Sequence, residues 1–296
     1  MTGAERGWLL LCSHLGDPDR RCLTTAQARK LLQRMRGLTL SGDRNRELTP
    51  KDLTPLGYTP QEAIHIVSLL SEEARLNHYL HRSRKYGCIP LTRISPGYPR
   101  QLLDNLGEDA PGVLWLRGDA SLLGRDTISL VGSRDLLPEN AAFAREAGLQ
   151  AAKQGLVLVS GNARGADRTG QDACLSAGGG VISVLADSLT HHVPPAGVLY
   201  LSEDSFDLDF SSLRALSRNR LIHAFSPATL VAQSSLKKGG TWDGSVKNLR
   251  FGWSSLLCFD DRRESTRLLE EMGALTMGME DLRNLRNLPA PVSKLF

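Results

Sequence analysis

Hydrophobic and polar positions follow two different rhythms along the chain. In the first ninety residues the apolar positions recur at helical spacing, as in TTAQARKLLQRM from Thr24 and in the long amphipathic run after Thr59 and Pro60. A threonine cap followed by proline in the first turn is a common helix start, so this part is predicted to be helical. Beyond GCIPLTRISPGYPRQLL, which has the glycine and proline content of a boundary, short apolar runs alternate with helical stretches.

The second part of the chain therefore has the pattern of alternating strands and helices. Stretches such as PENAAFAREAGLQAAKQG begin with proline and end with glycine, which favours helices between buried strands. We predict an α/β fold with a Rossmann-like, doubly wound and mostly parallel sheet, preceded by an N-terminal helical domain. The predicted strands lie at 113–116, 127–131, 156–159, 181–185, 198–201, 229–232 and 255–259.

The same patterns predict three segments. Residues 1–90 are expected to form a helical domain of the SAM or helix-hairpin-helix kind, 91–275 the Rossmann-like core, and 276–296 a C-terminal tail. The end of the chain, EDLRNLRNLPAPVSKLF, is predicted to be a polar helical fragment with a proline-containing extension. It is too short for another domain.

Charge is distributed unevenly between these parts. Residues 1–100 carry 16 Lys and Arg against 9 Asp and Glu, whereas 101–296 carry 20 against 23. A basic segment suits a polyanionic partner, but helical domains also carry such an excess on a plain solvated face. Both interpretations of the basic segment stay open.

Cysteine and histidine usage points away from disulfides and metals. The five cysteines are odd in number, scattered and free of Cys-x-x-Cys spacing, which favours reduced thiols in a cytosol. The apolar run GWLLLC from Gly7 is too short to span a membrane. His78 and His81 have no carboxylate or cysteine nearby to complete a metal shell. We expect a soluble cytoplasmic protein without membrane association, metal or cofactor.

Glycine, hydroxyl and cationic residues follow several of the predicted strands. Ligands of open parallel sheets bind at the carboxyl ends of the strands, where helix N-termini present unpaired N–H groups. Glycine lets a phosphate approach the backbone, hydroxyl groups add donors, and arginine binds two phosphate oxygens at once. One such glycine is ordinarily only a turn residue, but the whole set indicates an anion site. The predicted phosphate-binding residues are Gly132, Ser133, Arg134, Ser160, Gly161, Arg164, Asp167, Arg218, Asn219, Arg220, Lys237, Lys238, Gly239, Gly240 and Thr241.

The cations of this set are expected to converge over one rim of the sheet. So many cations without matching acids favour several phosphates in a row, as in a nucleic-acid backbone, over a single nucleotide. Arg164, at the start of a helix, calls for an external anion or a nearby carboxylate. The converging cations are Arg134, Arg218, Arg220, Lys237 and Lys238. The candidates for stacking on bases are few, namely Trp242, Trp253 and Phe225, each of a type that more often lies in a core.

At these residues the chain resembles the DNA-processing protein A family, DprA, also called Smf. The motifs YPRQLL, PGVLWLRGD, LVGSR, LVSGNARGAD, LSED, RNRLI and LLEEMGAL occur from Tyr98 to Leu275 in the family's order and at about its spacing. The resemblance implies a Rossmann-like core with an N-terminal helical extension. It also implies binding of single-stranded DNA and loading of the RecA recombinase during natural transformation, without catalysis.

The resemblance also implies roles for particular residues. The DNA-phosphate pocket would be lined by Arg134 from VGSR, Ser160 and Gly161 from SG, Asp167 from the GiD element, and Arg218 and Arg220 from RNR. Lys237 and Lys238 would lie beside it. A homodimer is a further expectation, because dimers occur in the family.

Four positions depart from the family pattern. Asn162 replaces an apolar residue, Gln171 stands where histidine is usual, and Gln233 stands where glutamate is frequent. KKGGTWDGS replaces a Gly-Ser…Thr-Ala pattern. Because these changes lie beside the pocket, a shifted ligand preference stays open.

Two other functions use the same kind of phosphate pocket. A nucleoside-monophosphate phosphoribohydrolase would carry PGGxGTxxE, but here Asp243 and Gly244 follow Gly-Gly-Thr and no glutamate stands at the catalytic spacing. A nucleotide sensor would bind one small ligand in the pocket and signal through the helical region. Both remain alternatives to DNA binding.

Overall fold

The computed structural model of the chain describes residues 1–36, 47–203 and 205–289. Two compact units are present. Unit 1 consists of Met1–Tyr98, Glu108–Trp115 and Glu203–Leu208, and unit 2 of Pro99–Gly107, Leu116–Ser202 and Asp209–Phe296. The three-part division drawn from the sequence stays a prediction. The end of its tail, 290–296, and Asp204 of the LSED motif lie outside the described residues.

Unit 1 is mainly helical. Thr2, Thr24 and Thr59 each form a capping box with the residue three positions on, which fixes the starts of three of its helices. The long amphipathic run predicted after Thr59 is interrupted near Ser71, whose hydroxyl donates to the carbonyl of Ser68 at 2.9 Å. The elements are α1 (Gly3–Cys12), α2 (Thr25–Met35), α3 (Pro50–Leu53), α4 (Pro60–Leu70), α5 (Glu73–Lys85) and β1 (Cys88–Thr92).

Unit 2 is built on a parallel sheet. Its central strands are short apolar runs that are buried along their whole length, as expected when helices cover both faces of a sheet. The strands of the unit are β2 (Val113–Gly118, from Leu116 onward in this unit), β3 (Thr127–Val131), β4 (Val157–Ser160), β5 (Gly180–Val184), β6 (Val198–Glu203, to Ser202), β7 (Ala228–Val231), β8 (Ser255–Phe259) and β9 (Leu275–Met277).

The order β6–β5–β4–β3–β7–β8–β9 places β3 in the middle, and each of these neighbouring pairs is parallel. Chain order reverses at β3, where β4 lies on one side and β7 on the other. The predicted α/β class and mostly parallel sheet are confirmed. The reversal creates the crevice at the carboxyl ends of the strands in which such sheets bind ligands.

Helices connect the strands and complete the core of unit 2. Phe143, Ala144 and Ala147 of one helix pack with Ile128 and Leu130 of β3 in this core. The helices are α6 (Arg100–Leu106), α7 (Pro138–Lys153), α8 (Ala166–Ser176), α9 (Ser212–Ala224), α10 (Gly240–Phe251) and α11 (Glu264–Glu271). No helix in the described ranges has the length and hydropathy that a membrane crossing requires.

The end of unit 2 contains the polar helical fragment expected from the sequence. This fragment, Glu280–Asn287, is a 3-10 helix interrupted at Asn284. Its Leu282 and Leu285 are buried in the core of the unit, so tertiary packing holds it in place. The short strands β1 and β9 were not predicted, because neither shows a long run of alternating apolar residues.

Candidate functional site

The predicted site residues follow three neighbouring strands. Residues 132–134 continue from β3, Ser160 ends β4, and 237–241 lead into α10 after β7. Because β3 pairs in parallel with both β4 and β7, these segments meet at one edge of the sheet. Helix α9 brings Arg218 and Asn219 to the same place.

A cavity of about 460 Å³ lies at this edge. Most of the predicted phosphate-binding residues line it, together with several that the sequence did not indicate. The predicted residues in its lining are Gly132, Ser133, Arg134, Asp167, Arg218, Asn219, Lys238, Gly239, Gly240 and Thr241. Predicted residues outside the lining are Ser160, Gly161, Arg164, Arg220 and Lys237.

Arg218 supplies a charge in the cavity with unmet hydrogen-bonding capacity. Its Nε and Nη1 atoms are buried and have no hydrogen-bond partner among the described residues. Burial lowers the pKa of Arg218, and the nearby Asp167 carboxylate opposes that shift. A guanidinium remains protonated even so, and its unpaired buried donors carry a free-energy cost that an anionic ligand removes.

The guanidinium of Arg218 occupies the space that a side chain at residue 161 would fill. A Cβ atom placed on Gly161 would overlap the Nη1, Cζ and Nη2 atoms of Arg218. Gly161 therefore contributes to the site from outside the lining, because it gives Arg218 room.

Asp167 is the carboxylate in the lining, and it already accepts hydrogen bonds from the backbone. Its Oδ2 atom accepts hydrogen bonds from the backbone N–H groups of Gly161 at 3.1 Å and Ala163 at 3.2 Å. Burial raises the pKa of Asp167, while the Arg218 charge and these two amides oppose the shift. Asp167 thus closes the turn before α8 and balances part of the charge of Arg218.

The start of α10 presents backbone donors to the cavity. The helix begins after Gly239, which has φ +85° and ψ 165° and provides no side-chain cap. Asn219 Nδ2 donates to the Gly240 carbonyl at 3.1 Å, which ties this turn to α9. The uncapped N–H groups and the Thr241 hydroxyl can therefore bind an anion.

Some of the exposed arginine and lysine side chains form ion pairs with acidic side chains and others do not. Arg134 and Lys238 are exposed, and neither forms an ion pair with a described residue. Arg164 Nη2 lies 2.7 Å from Asp135 Oδ1, so this arginine finds the carboxylate that its position called for. The positive charge available to a ligand in the lining therefore comes from Arg134 and Lys238, and in part from Arg218.

Two glutamine departures from the family pattern are buried. Gln233 Oε1 accepts from the Leu137 N–H at 2.8 Å, and its Nε2 donates to the Asp135 carbonyl at 3.0 Å. It holds the connection between β3 and α7. Gln171 is 5% exposed and its Nε2 atom has no partner in the described part of the chain. Neither glutamine lines the cavity.

The structure adds lining residues that sequence reasoning missed. Most lie on α9 at helical spacing, which is the signal that could have found them. His223 among them is 1% exposed, and burial lowers its pKa to about 3. Phe225, a predicted stacking candidate, is 1% exposed and points into the core. The added lining residues are Val131, Ala163, Phe210, Ser212, Ala215, Leu216, Ile222, His223 and Ser235.

The described residues contain no group of three or more histidine, cysteine, aspartate or glutamate side chains that could hold a metal ion. No disulfide joins any of the five cysteines, all of which lie in the described part of the chain.

Comparison with known proteins identifies the family to which the chain belongs. The family model for DNA recombination-mediator protein A matches residues 90–245. DNA processing protein DprA of Streptococcus pneumoniae is 29% identical over 170 residues, which cover 54% of this chain and 59% of that protein. The chain thus matches less than two thirds of the length of this curated relative.

Two solved structures resemble the fold. The X-ray structure of DNA processing protein A from Streptococcus pneumoniae has a TM-score of 0.72 at 21% identity, over 98% of this chain and 99% of that one. DNA processing protein A from Helicobacter pylori, which binds single-stranded DNA, has a TM-score of 0.56 at 24% identity, over 68% and 94%. At these identities the likeness establishes the fold.

Proposed function

Because the chain belongs to the DNA recombination-mediator protein A family, we propose that it binds single-stranded DNA through phosphates at the cavity on the carboxyl edge of its sheet. The resemblance drawn from the motifs is confirmed at the level of the family. The proposed ligand contacts come from Arg134, Arg218 and Lys238, with backbone donors from the start of α10. Protection of single strands follows from such binding.

The observation that carries the proposal is that buried hydrogen-bond donors of Arg218 are unsatisfied among the described residues. Two of its buried nitrogen atoms have no hydrogen-bond partner among the described residues, and the described part of the chain supplies no ion-pair partner to Arg134 or Lys238 in the same lining. Structural ion-pair networks leave few charges unmatched, whereas phosphate sites keep them available. This arrangement supports an anionic ligand in the cavity.

The lining supports binding over turnover. Asp167, the carboxylate in the lining, accepts two backbone hydrogen bonds, so it is poorly placed to act on a sugar carbon. Asp243, the stand-in for a phosphoribohydrolase glutamate, lies outside the lining and accepts from Lys247 Nζ at 2.8 Å. A general acid or base must reach the reacting atoms, and these carboxylates are engaged elsewhere.

Loading of RecA, action in natural transformation or recombination, assembly as a homodimer and residence in the cytosol are further parts of the proposal. They rest on family membership and, for the compartment, on the absence of a disulfide among the five cysteines, all of them described.

The proposal is tested by fluorescence anisotropy with a labelled single-stranded oligonucleotide and a duplex control. Arg134→Ala is expected to weaken the affinity about tenfold, because it removes one charge-assisted phosphate contact. The loss is expected to be the same for different base sequences, since phosphates carry no base information.

Arg145→Ala is the matched control, because Arg145 is exposed on α7 and lies outside the lining. Its affinity is expected to equal that of the unsubstituted protein. If mononucleotides bind and oligonucleotides do not, the nucleotide-sensor alternative is the better function. Release of free base from nucleoside monophosphates would instead establish the hydrolase.

A further inference from the structure

The lining of the cavity has an apolar part as well as a cationic one. Phe210, Ala215 and Leu216 line it, and Phe210 is 57% exposed and Leu216 43% exposed. Removing a large apolar side chain from water is favourable, so exposed apolar groups that share a binding cavity suggest an apolar ligand surface. The cavity thus combines positive charge with an accessible aromatic ring.

The backbone around Phe210 is held in place. Ser211 caps α9, and its hydroxyl accepts from the Arg214 N–H at 3.1 Å. The Arg214 Nη1 atom donates to the carbonyls of Asp209 at 3.0 Å and Ala186 at 2.9 Å. Residues on both sides of Phe210 are therefore fixed, which lowers the entropy cost of using its ring as a contact surface.

We infer that Phe210, together with Leu216 of the same lining, is the surface on which a nucleobase of the bound strand stacks. The inference rests on the proposed function. A nucleotide joins a charged phosphate to a flat apolar ring system, and one cavity here offers a partner for each. Every base has a π face, so stacking on Phe210 adds affinity without demanding a particular sequence.

The cations that share the lining with Phe210 indicate which kind of ligand contacts its ring. A protein segment with an apolar side chain would leave the Arg218 donors and the Arg134 and Lys238 charges unmatched. A nucleotide meets both requirements at the same time. Phe210 therefore acts as a binding residue, and Arg214 as the residue that positions it.

The test compares two labelled oligonucleotides of equal length, one of thymidines and one of abasic deoxyribose phosphates. Phe210→Ala is expected to bind the thymidine strand about tenfold more weakly, because it removes one stacked base. Binding of the abasic strand is expected to be unchanged, since the phosphate contacts remain. Phe210→Trp is expected to restore the affinity for the thymidine strand.

Leu213→Ala is the matched control, because Leu213 is 78% exposed at the start of α9, three positions after Phe210, but does not line the cavity. Equal affinity of Phe210→Ala and the unsubstituted protein for thymidine strands would overturn the inference. So would an equal loss on both strands, which would indicate a disturbed phosphate site.

The two failures can be told apart. If Arg134→Ala weakens binding and Phe210→Ala does not, the stacking surface is wrong and the phosphate site stands. If the unsubstituted protein binds neither strand, the proposed function falls and the inference falls with it. Thermal unfolding of each variant checks that the fold is retained.

Discussion

Among single residues, Arg218 and Gly161 show most directly how the chain prepares its site. The guanidinium of Arg218 lies where a side chain at 161 would be, so the position of a charge depends on the absence of one carbon atom. Glycine is needed here for space, since Gly161 does not have a positive φ. The site therefore depends on a residue that does not face the ligand.

Gly161→Ala is expected to displace the Arg218 side chain and weaken binding of a single-stranded oligonucleotide about tenfold, through loss of a charge-assisted contact. Because the end of a long side chain can move, the free energy of unfolding is expected to fall by only about 1 kcal/mol. Anisotropy and urea unfolding measure the two effects. In Gly124→Ala, where no atom lies within 4 Å of the added carbon, neither quantity is expected to change. Unaltered affinity of Gly161→Ala would contradict this role.

His223 gives a prediction about pH. Its folded pKa is lowered to about 3 by burial, while in the unfolded chain it is about 6.5. Between these values the unfolded state binds the extra proton, so stability falls as the pH falls below about 6.5. This histidine alone is expected to lower the free energy of unfolding by about 2 kcal/mol between pH 7 and pH 5.

The measurement compares urea unfolding of the unsubstituted protein and His223→Gln at both pH values. The substituted protein is expected to lose about 2 kcal/mol less on acidification. His78→Gln, an exposed histidine on α5, is the control for the substitution itself. Identical pH dependence in His223→Gln and the unsubstituted protein would show that His223 is not kept neutral by the fold.

Sequence reasoning located some site residues and missed others for identifiable reasons. Gly132 and Arg134 could be placed because they directly follow a strand, and position after a strand is visible in the sequence. Phe210 could not, because its exposure is set by the packing of α9. Phe225, only fifteen positions on, is buried, and the pattern around the two residues does not distinguish them.

At the scale of elements, α10 begins with a conformation that only glycine adopts readily. Gly239 has φ +85° and ψ 165°, a region that costs other residues about 1–3 kcal/mol. Gly239→Ala is therefore expected to lower the free energy of unfolding by that amount and to turn the uncapped amides away from the cavity. Oligonucleotide affinity is expected to fall by roughly tenfold with it.

Gly178→Ala separates strain from function, because Gly178 also has a positive φ and open surroundings but lies outside the cavity. It is expected to lose stability and keep its affinity, by the same urea and anisotropy measurements. A Gly239→Ala protein that binds DNA normally would show that the start of α10 is not a ligand contact.

The elements themselves were predicted where local pattern and tertiary context agree. β3 and β4 are continuous apolar runs between a turn and a helix, so length and burial identify them. β9 has three residues and two of them are exposed, so its strand geometry comes from pairing with β8. Long-range pairing of this kind has no signal in a short stretch of sequence.

At the scale of the whole molecule, proposed DNA binding should depend strongly on salt. Each neutralised phosphate releases a counterion and adds about 0.7 to the slope of log affinity against log salt for a single strand. Three cations in the lining, Arg134, Arg218 and Lys238, predict a slope of about −2 from this cavity alone if each neutralises one phosphate. Anisotropy titrations over a series of salt concentrations measure it.

Arg134→Ala is expected to reduce that slope by about 0.7, and the Arg145→Ala control is expected to leave it unchanged. A slope near zero for the unsubstituted protein would contradict a phosphate-binding role. A slope steeper than about −2 would indicate that cations outside the cavity also contact phosphates. The basic first hundred residues supply candidates for such cations.

Two glycine turns lie at this edge of the sheet, one with Gly161 after β4 and one with Gly239 before α10. Among the described residues, a side chain caps the amides of the first turn and none caps those of the second. At the turn after β4 the chain supplies a resident counter-ion, since Asp167 occupies the amides of Gly161 and Ala163. The proposed phosphate contact is consequently expected at the start of α10, because the carboxylate of Asp167 disfavours a second anion at the start of α8. The two turns therefore provide one place for an external anion, because the carboxylate of Asp167 already fills the other.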